Sequence, residues 1–270
     1  MSSTSTHAPV TTVMHPLRSR LLTVTAIDDI GPRMRRVVLG GEDLEADFPA
    51  PPFAAPDHVK IVVPDPVTGE IPLPPIVDDR LGRTPGAEPI FRDYTVRRVD
   101  AEHLVLDFVL HDHGPAGRWA GAARVGDPLG VLGPRGSHLY PSDYERYVLV
   151  ADETALPAVG RWLDEPDWDA EVTVLAVVGG VDEYPLAPRA RSTVQWQVLP
   201  ASERPAALAA AAALVADDTD AFLWAAGEAD SLKPLRRALR ERGVDRARYD
   251  IDGYWRRGVA GLDHHVADDD

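Results

Sequence analysis

Short apolar runs separated by turn residues fill the first half of the chain, from Leu17 to about Tyr140. The run at 103–110 alternates in part between apolar and polar positions, whereas the run at 59–63 is nearly continuous. This mixture predicts a small antiparallel β-barrel. Its strands are expected near residues 21–27, 34–39, 58–63, 94–99, 103–110 and 127–132. The Pro-rich stretch Pro64 to Pro89 is predicted to be one long loop, and loops of that length are often functional.

After about Asp143 the pattern changes to strands that alternate with helices, which predicts a parallel sheet with right-handed crossovers. Strands are expected at 146–151, 171–178, 194–199, 221–226 and 249–253, and helices at 154–163, 204–215 and 230–242. In the first of these helices, Thr154 is the expected N-cap and Pro157 lies in the first turn.

The sequence therefore predicts two domains, in keeping with 270 residues of which 44% are hydrophobic. The β-barrel domain is expected to span residues 17–143, and a Rossmann-like α/β domain residues 144–259. Residues 1–16 are rich in Ser and Thr and are predicted to be a disordered tail. Residues 260–270 are predicted to be a solvated acidic tail.

Charge and cysteine content exclude several classes of protein. The net charge of −15 argues against a nucleic-acid partner, because phosphate binding requires a basic surface. The chain has no cysteine, which excludes disulfides, thiolate metal sites and iron–sulfur clusters. No apolar run approaches the length of a membrane helix. We expect a cytoplasmic protein, and the working expectation for its oligomeric state is a monomer.

The segment Arg92-Asp93-Tyr94-Thr95-Val96 holds the first candidate site. In a strand, Arg92 and Tyr94 would point to one face and Asp93 and Thr95 to the other. Tyr94 offers a flat ring to an isoalloxazine, and Arg92 can bind a phosphate with its planar fork. An ordinary strand has the same pattern, so this segment alone leaves both interpretations open.

A second candidate site runs from His111 to Ala120. Gly114 and Gly117 allow a sharp turn and a close approach to a ligand, and a short helix starting near Pro115 would offer free N–H groups to a pyrophosphate. An ordinary turn and helix with Trp119 in the core is the alternative. His111 and His113 cannot share a helical face, so we predict no metal site here.

Three further segments are candidates for ligand contacts. The turn Gly133–Ser137 presents Arg135, although it can equally be a simple connection. Asp152–Ala158 joins the first α/β strand to its helix, but it lacks G-x-G-x-x-G and places two carboxylates where anions would bind. Gly227 ends the fourth strand at the carboxyl edge of the sheet, where ligands collect. The segment 253–258 combines two aromatic rings with two guanidinium groups, for stacking and anion binding or for anchoring the C-terminus.

Taken together, these segments resemble the siderophore-interacting protein family, whose members are flavin-dependent ferric-siderophore reductases of the ferredoxin-reductase class. The resemblance covers residues 20–258 in order and rests on His58-Val59-Lys60, Arg92-x-Tyr94-Thr95, Asp107 to His111, Gly114-Pro115-Ala116, Trp119-Ala120, Gly133 to Gly136, Asp152 to Ala158, Gly227-Glu228 and Tyr254-Trp255-Arg256-x-Gly258. One departure is Gly117, where the family usually has Ser, and it puts a hydroxyl contact to the FAD phosphate in doubt.

The resemblance implies FAD on the barrel and NADH or NADPH on the α/β domain, with the acidic loop at Asp152 in place of a Gly-rich loop. It implies cofactor contacts from Arg92, Asp93, Tyr94, Thr95, Asp107, His111, Gly114, Pro115, Ala116, Gly117, Trp119, Ala120, Asp152, Glu153, Thr154, Ala155, Gly227, Glu228, Tyr254 and Trp255. Asp182 and Glu183 would repel a 2′-phosphate and favour NADH, although Arg189 and Arg191 nearby would favour NADPH. Ferredoxin is an alternative electron donor.

We expect electrons to pass from the nicotinamide through FAD to the ferric siderophore, which releases iron as Fe(II). No protein acid–base pair is required. An anionic chelate on a −15 protein needs a local basic pocket, for which Lys60, Arg135, Arg256 and Arg257 are the candidates. Two alternatives stay open: a siderophore-binding chaperone without reductase activity, and a general flavin diaphorase that passes electrons to a protein or a quinone.

Overall fold

A computed structural model describes residues 7–83, 86, 89–112, 114–166, 168–180 and 184–259. These residues form two compact units, and the boundary between them follows Leu139. Thr11–Leu139 make up the first unit, and the described residues from Tyr140 onward, with those before Thr11, make up the second. The boundary expected from the sequence, after residue 143, lies four residues further along the chain. The predicted acidic tail at 260–270 lies outside the described residues.

The first unit is a closed barrel of six strands, as the sequence predicts. Its strands follow the order β2-β3-β8-β7-β4-β9, and all neighbours are antiparallel. The barrel strands are β2 (Ser19–Gly31), β3 (Met34–Gly40), β4 (His58–Val62), β7 (Phe91–Val99), β8 (Leu104–Val109) and β9 (Pro128–Leu132). Helix α1 (Pro115–Ala122) follows β8 and buries Ala116 and Ala120 in the barrel core.

Alternation of side chains explains why these strands close around one core. Leu22 and Val24 of β2 are almost fully buried, while the residues between and beside them are exposed. Strand β8 is buried along nearly its whole length because α1 covers part of it. Burial of aliphatic side chains at this scale supplies most of the stabilisation of the unit.

The predicted disordered tail is wrong for the segment that precedes the barrel. Residues Thr11–Met14 form β1, which pairs antiparallel with β10 (Gly136–Leu139). All four side chains of β1 are exposed, so its sequence shows no strand pattern. Main-chain hydrogen bonds to β10 hold the segment, and such pairing leaves no trace in local composition.

The Pro-rich stretch is not a loop throughout. It contains a two-stranded hairpin of β5 (Ile76–Val77) and β6 (Arg80–Leu81). The two turn residues, Asp78 and Asp79, have φ of 50° and 59°. This left-handed conformation at both central positions is the one that a tight hairpin requires, and Asp tolerates it better than most residues.

The second unit holds a parallel five-stranded sheet in the order β13-β12-β11-β14-β15, which confirms the α/β prediction. The strands are β11 (Arg146–Ala151), β12 (Glu171–Val178), β13 (Ser192–Val198), β14 (Ala221–Glu228) and β15 (Tyr249–Trp255). The helices are α2 (Leu156–Asp164), α3 (Arg204–Ala210), α4 (Ala213–Ala216) and α5 (Ala229–Glu241), and a short 3-10 helix (Arg246–Arg248) precedes β15.

Two details of the helices differ from the prediction. The single helix expected at 204–215 is split into α3 and α4. The amides of Ala211 and Ala212 bond to carbonyls three residues back, which is a 3-10 tightening that a run of alanines does not reveal. Helix α2 has Ala155 as its N-cap rather than Thr154, because the Thr154 hydroxyl donates to Asp152 instead.

Candidate functional site

Strand β7 places Tyr94 among the aromatic side chains of the barrel. Val59 of β4 lies opposite Tyr94 and belongs to the barrel core. The Tyr94 ring is half-buried, its centroid lies 4.3 Å from that of Phe108, and Phe108 lies 5.6 Å from Trp119 of α1. Burial raises the pKa of Tyr94 against the smaller opposing effect of Arg92, so the hydroxyl stays neutral. The ring is therefore a flat, uncharged surface fixed by its neighbours.

The neighbours of Tyr94 alternate between the two faces of β7 as predicted. Asp93 pairs across the ladder with Lys60, and Lys60 Nζ donates to both carboxylate oxygens at 2.8 and 3.0 Å. Arg92 Nη1 donates to the Phe91 carbonyl at 2.6 Å, and Thr95 is buried. Asp93 thus neutralises one of the cations that the sequence assigned to substrate.

The N-terminus of α1 is open to an anion. Its N-cap is Gly114, with φ of 91°, and no side chain caps the helix. Pro115 occupies the first turn, so the N–H groups of Ala116 and Gly117 have no partner within the helix. Uncapped amides at a helix N-terminus favour a phosphate group.

Gly117 is required by its contact with His111. A Cβ at this position would lie 2.7 Å from the His111 carbonyl oxygen and 2.8–2.9 Å from its imidazole ring. The His111 carbonyl oxygen can move away only if the main chain shifts. The departure from Ser at position 117 therefore has a steric reason, because the His111 ring fills the space that a side chain would need. The open helix terminus, the Arg92 fork and the Tyr94 ring fit a flavin nucleotide.

Asp107 does not offer its carboxylate to a ligand, contrary to the sequence-based assignment. Its side chain is fully buried, and Arg36 binds both oxygens, with Nε at 2.7 Å and Nη2 at 2.8 Å. This forked ion pair ties β3 to β8 and is structural. Ala120 is likewise a core residue, fully buried beneath the barrel.

The four proposed substrate cations are divided between the units, and three of them pair with a carboxylate. In the barrel unit, Lys60 binds Asp93, and Arg135 Nη1 lies 2.5 Å from Asp79 Oδ2. In the α/β unit, Arg256 Nε lies 3.5 Å from Asp230. The backbone N–H of Arg257 donates to Glu228 at 3.2 Å, and this residue is exposed. An anionic ligand would have to compete with these internal partners.

At the carboxyl edge of the α/β sheet, Asp152 is a buried carboxylate surrounded by donors. Oδ1 accepts from the Thr154 N–H at 2.8 Å and the Thr154 hydroxyl at 2.6 Å. Oδ2 accepts from the Glu228 N–H at 2.9 Å and from Trp255 Nε1 at 2.8 Å. Burial and the charge of Glu153 raise the pKa of Asp152, and the bonds from Thr154 and Trp255 oppose that rise.

Two further carboxylates occupy amide donors at the same edge. Glu153 Oε1 accepts from the Gly179 N–H at 2.5 Å and pairs with Arg204 Nη2 at 3.1 Å. Glu228 caps α5 by accepting from the N–H and hydroxyl of Ser231, both at 2.7 Å. Arg204 could not be predicted from the sequence, because no motif surrounds it and its partner lies 51 residues away.

Gly227 allows Asp152 to reach this position. Its φ is 152°, and a Cβ would lie 2.7 Å from the Asp152 carboxylate. The structure thus brings the predicted residues Asp152, Glu153, Thr154, Ala155, Gly227, Glu228 and Trp255 together at one sheet edge. Their carboxylates fill donors that a pyrophosphate would use in a Gly-rich loop.

Of the residues expected to discriminate between NADH and NADPH, Arg189 and Arg191 lie in the described part of the chain. Asp182 and Glu183 lie outside the described residues, as does His113. Arg189 donates to the carbonyls of Glu165 and Trp168, and its guanidinium lies 5.4 Å from the Trp168 ring centroid. Arg191 donates to the Asp169 carbonyl at 2.6 Å. Both arginines therefore brace the chain that follows α2 and give no support to a role in nucleotide choice.

The described residues contain neither a cluster of metal ligands nor a helix able to cross a membrane. In the ranges given above, no group of three or more His, Asp or Glu side chains is placed to hold a metal ion. Among the same residues, no helix combines the length and hydropathy needed to cross a membrane.

A six-stranded antiparallel barrel followed by a parallel five-stranded sheet defines a flavoprotein reductase of the ferredoxin-reductase-like class. Residues 23–138 match the family model of the siderophore-interacting FAD-binding domain, and residues 144–258 match that of the siderophore-interacting protein. The chain belongs to the siderophore-interacting protein family, which confirms the family prediction made from its motifs.

Individual relatives agree with this assignment. The chain is 34% identical to an NADPH-dependent ferric-chelate reductase of Escherichia coli K12, over 90% of this chain and 95% of that protein. It is 30% identical to a ferric vibriobactin reductase of Vibrio cholerae, over 88% and 90% of the two chains. A solved siderophore utilization protein from T. fusca is 47% identical with a TM-score of 0.84, covering 95% of this chain and all of that one.

Proposed function

We propose that this protein is an FAD-dependent ferric-siderophore reductase that takes electrons from NADH or NADPH and releases iron as Fe(II). The observation that carries the proposal is the barrel site, where Tyr94, Arg92 and the uncapped N-terminus of α1 form a surface suited to a flavin nucleotide. Membership of the family and its FAD-binding domain supports the same conclusion.

Each part of the barrel site has a separate task. Tyr94, fixed against Phe108, supports the flat ring system by stacking. The first-turn amides of α1 and the guanidinium of Arg92 bind phosphate oxygens. When bound, FAD supplies two-electron exchange with a nicotinamide and one-electron exchange with iron. The protein therefore needs no acid–base pair, and its residues bind and orient.

The ferric chelate is the substrate in this proposal. Siderophores hold Fe(III) through hard oxygen donors, and the less charged Fe(II) binds such donors more weakly, so reduction releases the metal. Lys60 and Arg135 are the barrel-unit candidates for chelate contact, and Arg256 and Arg257 are those of the α/β unit. The names of the E. coli and V. cholerae relatives support a ferric-chelate substrate.

We assign the nucleotide donor to the carboxyl edge of the α/β sheet, near Asp152 and Gly227. The preference for NADH that Asp182 and Glu183 suggest stays a prediction, and the E. coli relative is named as NADPH-dependent. We further propose a cytoplasmic monomer. Ferredoxin is the alternative donor if neither nucleotide reduces the protein.

The proposal is tested in three steps. An absorption spectrum of the purified protein is recorded, NADH or NADPH is added under anaerobic conditions, and a ferric chelate is then added with a colorimetric Fe(II) trap. We expect flavin bands that one nucleotide bleaches and that the chelate restores as Fe(II) appears. Quinone turnover without Fe(II) would instead identify a diaphorase. Tight chelate binding by a protein that takes up no FAD would identify a binding chaperone.

Tyr94 variants give the site-specific test. Tyr94→Phe keeps the ring and should retain FAD, whereas Tyr94→Ala removes the stacking surface and should lower FAD affinity at least tenfold. Circular dichroism of both variants establishes that the barrel still folds. Equal FAD affinity in the two variants would contradict the assignment of Tyr94.

A further inference from the structure

The tip of the β5–β6 hairpin is attached to the barrel unit through one carboxylate. Asp79 Oδ1 accepts from the Leu17 N–H at 2.7 Å, and Oδ2 accepts from Arg135 Nη1 at 2.5 Å. Arg135 Nη1 also donates to the His15 carbonyl at 2.8 Å. Asp79 therefore holds the guanidinium that the sequence analysis assigned to an anionic substrate.

The Asp79 carboxyl group is ionised at neutral pH. The Leu17 N–H, followed by the hydrogen bond and charge of Arg135, lowers the pKa of Asp79 below its ordinary value. Both side chains keep about half of their surface in water, 50% for Asp79 and 46% for Arg135. An ion pair this exposed is weak, so an anion of higher charge can displace the carboxylate from the guanidinium.

We propose that Asp79 is a specificity-determining residue that sets the charge of the ferric chelate accepted by Arg135. This inference rests on the proposed function. An anionic chelate must break the ion pair between Arg135 and Asp79, and it is then repelled by the Asp79 carboxylate. A neutral chelate incurs neither of these free-energy costs. Asp79 thereby lowers the affinity for highly anionic chelates relative to neutral ones.

Asp79→Asn is the variant that tests this role. Asn tolerates the left-handed backbone at position 79, and its amide oxygen can still accept from the Leu17 N–H, so the hairpin should persist. The variant removes the negative charge and the hydrogen bond that Oδ2 accepts from Arg135. Asp65→Asn is a matched control, because Asp65 lies in the same Pro-rich stretch and its carboxylate accepts from the N–H groups of Val67 and Thr68 rather than from a cation.

The two probes are a trianionic iron(III) tris-catecholate and a neutral iron(III) tris-acetohydroxamate. With Asp79→Asn, we expect KM for the trianionic chelate to fall about two- to fivefold, with kcat unchanged and no change for the neutral chelate. High salt should abolish the gain. In an Arg135→Gln background, Asp79→Asn should give no gain, because no guanidinium is left for the Asp79 carboxylate to hold.

Two results would overturn the inference: an equal gain for both chelates, or an equal gain in Asp65→Asn, which would indicate a general effect of net charge. Chelate binding is also measured without nucleotide, by quenching of tryptophan fluorescence. If the wild-type protein reduces neither chelate, the proposed function fails. The binding constants of the two variants still decide the role of Asp79.

Discussion

Trp255 Nε1 donates to Asp152 Oδ2 at 2.8 Å and so joins the end of β15 to the loop after β11. The indole is one of the donors that oppose the rise in the pKa of this buried carboxyl group. The amide of Glu228 donates to the same oxygen at 2.9 Å. The end of the last strand of the sheet is therefore bonded to the loop that follows β11.

Replacement of Trp255 by Phe should lower the free energy of unfolding by about 1.5–3 kcal/mol at pH 8, because a buried carboxylate loses a charge-assisted donor. The pKa of Asp152 is already raised above 3.8 and should rise further. Because the pKa of Asp152 is higher in the folded than in the unfolded state, its charged form lowers the free energy of unfolding. This loss of stability disappears as the pH falls through the folded-state pKa.

Urea unfolding at several pH values measures this effect. The difference between wild type and Trp255→Phe should shrink as the pH is lowered from 8 through the raised pKa of Asp152. Trp196→Phe is the control, because Trp196 is 39% exposed on β13 and no change with pH is expected. A Trp255→Phe deficit that stays constant over this range would argue against a coupling to Asp152.

Two glycines of α1 should respond to alanine with opposite signs. Gly117→Ala should destabilise by about 1–3 kcal/mol, because its Cβ would overlap the His111 carbonyl and ring. Gly121 has no atom within 4 Å of an added Cβ, so Gly121→Ala should stabilise by up to about 1 kcal/mol through helix propensity. Thermal unfolding of the two variants tests the pair, and a gain in both would refute the contact with His111.

Asp107→Asn should destabilise the barrel by about 3–5 kcal/mol, since it breaks a forked pair whose carboxylate is fully buried. Asp29→Asn removes the exposed carboxylate of β2 that pairs with Arg35 of β3, and should cost less than about 1 kcal/mol. Denaturant midpoints compare the two. Loss of FAD affinity without loss of stability in Asp107→Asn would restore the cofactor role that the sequence suggested.

Glu45→Gln should reduce stability by roughly 2–3 kcal/mol at pH 7, because Arg20 is only 2% exposed and would lose its anion. Burial alone would raise the pKa of Glu45, but the bonds and charge of Arg20 and the bond of Arg18 hold it below 4.5. A lowered folded-state pKa gives stability that is complete above about pH 4.5 and is lost as pH falls through that pKa.

The difference between wild type and Glu45→Gln should therefore be constant from pH 5 to 7 and should decline in more acidic buffer. Arg18→Gln removes the exposed partner of Glu45, which keeps half of its side chain in water, and should cost less than about 1 kcal/mol. Chemical unfolding at each pH provides the measurement. An equal loss in Arg18→Gln and Glu45→Gln would show that Arg20 does not depend on Glu45.

The sequence by itself determined the two units, the six barrel strands and the five strands of the parallel sheet, because alternating or continuous apolar runs reflect the burial of those strands. It also located the main candidate sites, since Tyr94, Gly114 and Gly227 have local geometric reasons to be there. The strand at Thr11–Met14 could not be predicted from the sequence, because all its side chains are exposed and only pairing with β10 forms it.

Only the tertiary structure decided which polar groups meet. Asp107 proved structural because Arg36, 71 residues earlier, takes both of its oxygens. Arg204 was brought to the carboxyl edge of the α/β sheet by its pairing with Glu153, and Asp79 paired with Arg135 across 56 residues. Ion pairs of this kind depend on distances set by strand order and register, and those in turn depend on long-range packing that no local pattern of residues encodes.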